Sequence, residues 1–409
     1  MCGRDLDARR GSVSLGGQIL ILSNNLLNTF LIVKSFLSLS LALSAAAAIL
    51  TSCSGAGSSA GAEVSGDTLT AGADLLTLVD CGSYVVADIK NPWDSTRLLQ
   101  RYVLVPDSAG NPEGLPEGTV VRTPLRNSLV YSGVHAGAIR DLGAIDAVRG
   151  VADAGYFTVA EVKAGLKSGA VMDVGSSMSP DIERVTVLGP DAILASPYQN
   201  SSYGLIERLG IPIIECADYM ESTPLGRAEW IKLIGELYGC RHEADSIYKE
   251  VSAEYSRLAT RAASASSHPK VITERLTNGV WFVPGGRSYM SSIITDAGGV
   301  NPWADTPDAG SIQLDFASVF DKAHDADIWL IRNYGPELTL SELKSSYDLN
   351  SRIKAFENGD VYVADTSTST LFDDFPFHPE KLLREYILLF LGPDYAGTDK
   401  TQYYQRIEK

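Results

Sequence analysis

A chain of 409 residues, 45% hydrophobic and 21% charged, with 37 glycines, has the composition of a globular protein long enough for two domains. Its formal net charge of −16 argues against nucleic acid as a partner, because neutralising phosphates takes clustered Lys and Arg. An acidic, solvent-facing protein fits that balance, and the charge by itself names no ligand.

Residues 1–52 read as a leader outside the fold. Ile19 to Val33 is apolar but broken by Ser23, Asn24, Asn25 and Asn28, and Lys34 precedes a second apolar run, Phe36 to Leu50. That run is short for a membrane span and suits the core of a signal peptide. It ends in Leu50-Thr51-Ser52-Cys53, which resembles the bacterial lipoprotein cleavage box, where the Cys is lipidated and becomes the new N-terminus. The plain alternative is a chance Cys after an ordinary signal. The small residues that follow make 53–73 a flexible tether between a lipid-bearing Cys53 and the folded part. Of the remaining cysteines, Cys81, Cys216 and Cys240 are odd in number and lack metal-ligand spacing.

From residue 74 onward the pattern predicts an α/β protein of two lobes with mainly parallel sheets, joined by one long helix, with a ligand cleft between them. The first lobe covers 74–240. Leu75–Val79, Tyr84–Ile89, Tyr102–Val105 and Thr119–Thr123 read as strands. Ser128–Tyr131, Asp191–Ala195 and Ile211–Glu215 then read as strands alternating with short helices, a rhythm that implies parallel pairing. Thr223 can cap a helix with Pro224 in its first turn. The interlobe segment is 241–267. Ala244, Ile247, Tyr248, Val251, Tyr255, Leu258 and Ala259 form a stripe at helical spacing over Glu243–Ala262, roughly 30 Å of helix. The second lobe, 268–409, has strands at Val271–Thr273, Val280–Val283, Asp327–Ile331 and Val361–Ala364. Its last helix starts at Pro379 and stops at Gly392-Pro393.

Catalytic signatures are missing: there is no phosphate-cradling Gly-Lys-Ser/Thr loop, no His-Glu-x-x-His and no Gly-x-Ser-x-Gly. No catalytic residue, metal site or resident cofactor is assigned, although a bound ligand can carry its own metal. Chemically interesting residues gather instead where strands end, the place where open α/β sheets bind ligands. In the first lobe these are Tyr131, His135, Tyr198 and Tyr203. In the second they are Trp281, Arg287, Tyr289, Arg332, Tyr334 and Phe372. Trp281 and Phe282 alternate, so one of them belongs to the core. Asp373-Asp374 reads as a solvated pair before it reads as a metal pair. Arg275, Arg287 and Arg332 suggest a cationic wall that favours an anionic ligand, against the bland alternative of surface ion pairs.

The order of several short motifs resembles the substrate-binding proteins of ABC importers for ferric siderophores, haem and cobalamin, in which one rigid helix joins two lobes. The motifs are Ser132-Gly133-Val134-His135-Ala136, Gly189-Pro190-Asp191-Ala192-Ile193, Leu209-Gly210-Ile211-Pro212, Asp296-Ala297-Gly298-Gly299 and Asn358-Gly359-Asp360-Val361-Tyr362. The run Ala217 to Trp230 looks like a branch found in Bacteroides-type bacteria. The resemblance implies capture of a metal-chelate small molecule on the periplasmic side of a bacterial membrane and delivery to an ABC transporter permease. It also implies docking through acidic residues on each lobe. Asn200 and Arg287 stand where the cobalamin-binding pattern has those glutamates, so docking charges lie elsewhere or docking differs. Two alternatives remain: direct capture of a bare metal ion, and a chelatase-like enzyme. The first needs His and carboxylates converging, for which His135 and His378 are placed, and the second a metal-inserting His beside an acidic group; His135 facing Asp373 or Asp374 across the cleft would favour either.

Overall fold

The computed structural model describes residues 64–407 apart from Ser201, Pro336 and Glu337. Cys53 and the leader lie outside the described residues.

The chain enters through β1 (Asp67–Thr68), β2 (Leu76–Asp80), β3 (Val85–Lys90), β4 (Leu98–Pro106) and β5 (Thr119–Thr123). These form one sheet in sequence order, antiparallel except for the parallel β4–β5 pair. Two buried glutamates fix its start. Glu229 accepts the backbone N–H groups of Ala71, Gly72 and Ala73 at 2.7–3.2 Å, and Glu221 accepts those of Asp74 and Leu75 at 2.9 Å. The described end of the expected tether is therefore held against the fold.

A parallel sheet follows: β6 (Ser128–Val130), α1 (Gly133–Asp141), β7 (Val148–Val151), α2 (Ala160–Ser168) and β8 (Met172–Asp173). After it come a two-residue-stranded hairpin, β9 (Gly175–Ser176) and β10 (Ser179–Pro180), then α3 (Ile182–Leu188), β11 (Ala192–Ala195) and β12 (Ile213–Glu215). The strand order is β12-β11-β6-β7-β8, so the winding direction changes between β6 and β11. Leu129, Ile193 and Val174 pack on one face with Val185 and Ile206. Val130, Leu194 and Ile214 pack on the other with α1 and the antiparallel sheet. Covering on both faces explains why these strands are apolar throughout.

Thr223 caps α4 (Pro224–Ala228), accepting the N–H of Gly226, with Pro224 in the first turn. Next are α5 (Ile231–Tyr238) and the long helix α6 (Arg241–Ala262), whose 22 residues span about 33 Å. Its stripe is divided: Ala244 is buried in the first core, while Tyr255, Leu258 and Ala262 are buried in the second.

The second half contains β13 (Val271–Thr273), β14 (Trp281–Pro284), α7 (Tyr289–Asp296), β15 (Ser311–Leu314), α8 (Phe316–Ala323) and β16 (Ile328–Asn333). It continues with α9 (Leu340–Ser346), α10 (Lys354–Asn358), β17 (Val361–Asp365), α11 (Leu371–Asp374), α12 (Pro379–Leu391), α13 (Pro393–Ala396) and β18 (Tyr404–Arg406). The sheet runs β13-β16-β17-β18, parallel except for β18, and β14–β15 is a separate antiparallel pair. Buried Glu385 on α12 accepts the N–H groups of Gln402, Tyr403 and Tyr404, securing the last strand as Glu229 secures the first segment.

The two halves also meet away from α6. Helix α11 lies against α1 so closely that a Cβ on Gly137 would sit 2.7 Å from the carbonyl oxygen of Asp373. Phe377, in the chain's last third, is buried in the first half's core.

Candidate functional site

The change of winding between β6 and β11 leaves a crevice beyond their carboxyl ends, the usual ligand position in open α/β sheets. Tyr131 and Ser132 leave β6, and Ser196, Pro197 and Tyr198 leave β11 beside them. Four chambers of 180–380 Å³ open around this crevice, two lined by the first half alone and two reaching second-half residues, and neighbouring chambers share Tyr131, Ser132, Tyr198 or Tyr219 in their linings. Tyr203 joins them, its hydroxyl donating to Glu215 at 3.3 Å. Burial first and then Asp153 push the Tyr131 phenol up to about 12, so it meets a ligand as a neutral donor.

Beneath this surface lies a buried charged trio. His135 Nε2 is 3.0 Å from Asp218 Oδ1, and Arg227 Nε donates to Asp218 Oδ2 at 3.0 Å. Burial works against the charges of all three. Asp218 is nevertheless held low by Arg227 and His135, and His135 is raised by Cys216 and Asp218. The Arg227 guanidinium also lies over the Tyr289 and Phe375 rings of the second half, 4.8 and 5.5 Å from their centroids. His135 is thus a member of an ion network at the floor of one chamber, whose lining includes all three charged residues; it is 1% exposed, with its Nε2 paired to Asp218.

The second half's wall departs from expectation in two places. Trp281 points into the core: it is fully buried, stacks on Trp329 at 5.6 Å and donates its indole N–H to the Thr273 carbonyl at 2.8 Å. Its neighbour Phe282, 43% exposed, lines the cleft instead, as alternation along a strand requires. Arg287 is exposed and absent from the residues that line the chambers; Gly285-Gly286 before it packs closely against the 304–310 loop.

Arg332 does line the cleft, but Glu274 lines it too and accepts from its Nε at 2.5 Å. Arg275 donates to Asn333 at 2.8 Å. The expected wall of three arginines is therefore one arginine already paired with a carboxylate. Glu274 adopts φ +61°, a left-handed conformation that a non-glycine residue holds only at a cost. Tyr289 lines the same chamber, its ring stacked on Phe375 at 5.9 Å.

Tyr334 and Phe372 face the first half. The Tyr334 ring meets that of Tyr156, which follows β7, with centroids 5.7 Å apart. Asp373 accepts a hydrogen bond from Thr158 and is pushed up to about 6, chiefly by burial. Arg140 reaches Asp374 at 3.4 Å, and His378 bridges Asp141 and Glu380 at 3.1 and 3.2 Å. Among the described residues, no three of His, Cys, Asp and Glu converge as metal ligands would. Both acids of the 373–374 pair are buried in this seam rather than solvated.

Sequence reasoning left out Tyr156, Asp218, Arg227 and Glu274. The strand-end rule would have found Tyr156, had Val148–Val151 been read as a strand, and also Asp218, three residues past β12. Glu274 adjoins the arginine that drew attention. Nothing local marks Arg227, whose partners are brought by folding.

The sequence pattern of the periplasmic binding protein family matches residues 131–368. The chain belongs to the periplasmic binding protein family. The antiparallel sheet β1–β5 precedes the matched stretch. An uncharacterised lipoprotein of Methanocaldococcus jannaschii is 28% identical over 258 residues, 59% of this chain and 60% of that protein. The chain thus spans about three-fifths of the length of that curated relative. Among solved structures, a periplasmic binding protein from Veillonella parvula superposes with a TM-score of 0.55 at 14% identity, covering 68% of this chain and 95% of that one. A periplasmic heme binding protein from Pseudomonas aeruginosa gives 0.53 at 16% identity, covering 65% and 92%. These likenesses place the two-lobed α/β fold. Among the described residues, no helix is long and apolar enough to cross a membrane.

Proposed function

We propose that this member of the periplasmic binding protein family captures a metal-chelate nutrient, a ferric siderophore, haem or cobalamin, and delivers it to an ABC transporter permease. A lipid on Cys53 would hold it on the periplasmic side of a bacterial membrane. The observation that carries the reading is the set of rings on both walls of one cleft: Tyr131, Tyr156 and Tyr198 against Phe282, Tyr334 and Phe372. Aromatic faces with a few hydroxyls suit a bulky, partly planar ligand held by stacking and hydrogen bonds. The haem-binding name of the Pseudomonas relative and the lipoprotein name of the Methanocaldococcus relative support the same direction.

His135 facing Asp373 or Asp374 would have favoured the bare-metal and chelatase alternatives, and His378, the other histidine placed for a metal, meets Asp141 and Glu380 without forming a metal-ligand cluster among the described residues. His135 instead pairs with Asp218, and Asp373 with Thr158. The cationic wall that favoured an anionic chelate is reduced to the Arg332–Glu274 pair, so the cleft gives an anionic chelate no advantage over neutral cobalamin.

The test is titration of the purified protein by tryptophan fluorescence with haemin, ferrichrome, a ferric catecholate and cyanocobalamin. Saturable binding of at least one at micromolar concentration or below is expected, and absence of binding to all four overturns the reading. Replacing Cys53 with Ala should move the protein from the membrane fraction to the soluble fraction of its host. A wild-type protein that is already soluble and unlipidated sinks the anchor.

A further inference from the structure

The hairpin β9–β10 stands beyond the carboxyl end of the first parallel sheet, and its turn is Ser177-Met178. Met178 is 73% exposed and belongs to no core, yet it lines a chamber of 180 Å³ with Tyr131, Tyr198 and Tyr203. An exposed methionine beside three tyrosines has no packing role in the protein as it stands. A flexible, polarisable thioether is well suited to adapt to a bound surface.

The base of the hairpin is tied to the sheet by Val174, whose N–H donates to the Val151 carbonyl at 2.9 Å, and its turn is held by Asp153. Asp153 donates its N–H to the Gly175 carbonyl at 2.7 Å, and its carboxylate accepts both the N–H and the hydroxyl of Ser177. To do this Asp153 adopts φ +52°, where an L side chain is disfavoured. Strain that serves no core contact and aims a turn at a cleft points to a use in that cleft.

The chamber is lined by first-half residues alone and shares Tyr131 and Tyr198 with the wall that faces the second half. Its remaining lining is Ser132, Ser177, Ser196 and Ser202, and the Ser196 side chain makes no hydrogen bond among the described residues. A planar chelate clasped between the two walls would leave this side space empty. A chelate with a hydrogen-bonding arm would fill it.

We propose that the Gly175–Pro180 hairpin is a specificity element, and that the chamber it closes with Met178 takes a polar arm projecting from the ligand. This rests on the metal-chelate reading above and narrows it to chelates that carry such an arm, peptide-like or nucleotide-like.

Two variants test it. Asp153→Gly keeps the backbone conformation at no steric cost but releases the hairpin's turn, and Met178→Trp fills the chamber from an exposed position. Both are titrated with ferrichrome and cyanocobalamin, which bear a peptide or nucleotide portion, and with dicyanocobinamide and haemin, whose polar projections are only short amide or propionate side chains. Thermal stability is followed in parallel. The expected result is a loss of about tenfold or more for ferrichrome and cyanocobalamin, about 1.4 kcal/mol, with dicyanocobinamide and haemin within about twofold and only a small change in melting temperature for Asp153→Gly. Equal losses for both classes, or no loss for either, overturn the proposal. So does a wild-type protein that binds only haemin or cobinamide. A wild-type protein that binds none of the four overturns the chelate reading itself, a failure seen before any substitution is made.

Discussion

The two walls of the cleft come from similar parallel sheets, yet they present different chemistry. In the first half, the charged groups His135, Asp218 and Arg227 are buried and paired at the floor of one chamber, and the rest of the surface offers tyrosine rings and serine hydroxyls. In the second half, the ion pair Arg332–Glu274 is itself part of the surface, among Phe282, Tyr289 and Tyr404. A buried trio whose carboxylate is shared by two cations has little left to give a ligand. A partly exposed pair can exchange one partner for a ligand group, because solvent already weakens it. On the proposed reading, the Arg332–Glu274 pair is the group of the second wall that a charged ligand could engage, and the first wall offers rings and hydroxyls.

The largest expected effect separates core from wall inside one strand. Trp281→Ala should cost about 3–5 kcal/mol in urea unfolding, the range for deleting a fully buried large aromatic. Phe282→Ala should change stability by no more than about 1 kcal/mol and weaken chelate binding instead. A large stability loss from Phe282→Ala would place it in the core and remove it from the wall.

Next comes the way each half secures a terminal segment. Glu229→Ala strands three backbone donors and should cost about 3 kcal/mol, as should Glu385→Ala at the other end of the chain. Hydrogen exchange should rise in β2–β5 for the first variant and in β18 for the second. Protection lost across the whole protein in either case would show that the segments are not held separately.

The seam where the halves meet should respond to pH. Burial raises the folded-state pKa of Asp373 to about 6, above its unfolded value, so stability falls as pH rises between about 4 and 6. Asp373→Asn should remove that slope and add about 2 kcal/mol at pH 7, a shift of about two pKa units at 1.36 kcal/mol each, reduced for partial screening. For His378, burial opposes the charge, but Asp141 and Glu380 outweigh it and raise the pKa to about 9. Its contribution is complete below about 6.5 and is lost as pH rises toward 9, and His378→Gln should flatten that second window. Unfolding midpoints measured from pH 4 to 9 would reveal both, and a flat wild-type profile would contradict both.

The smallest effect concerns the ion pair in the wall. Glu274→Gly accommodates φ +61° and frees Arg332, so haemin should bind tighter by about 1 kcal/mol while cyanocobalamin is unchanged. Equal changes for both would mean that the pair is structural and does not read charge.

Much of this molecule was legible along the chain. The alternation of short apolar runs with helical stripes gave the parallel sheets, and the long stripe over Glu243–Ala262 gave the helix that the structure divides between two cores. Tyr131, Tyr198 and Tyr203, chosen because strands stop beside them, do line connected chambers of one cleft. Four short strands were harder to read: Val148–Val151, Met172–Asp173, Ser311–Leu314 and Tyr404–Arg406 are too brief or too polar to stand out before their partners are known.

What the sequence determined by itself was therefore local: periodicity, the Thr223-Pro224 helix start, and the strand ends that can face a ligand. Each follows from the chain's own dihedral preferences and the spacing of its apolar residues. What only the tertiary structure decided was which of two adjacent aromatics faces inward and which charges are already spent. Trp281 and Phe282 are both apolar, so alternation fixes that they differ but not which one is buried, until β15 and Trp329 cover one side. Arg332 and His135 look like free groups until Glu274 and Asp218, 58 and 83 residues away along the chain, arrive beside them. Ion pairing depends on distance through space, which sequence separation does not encode.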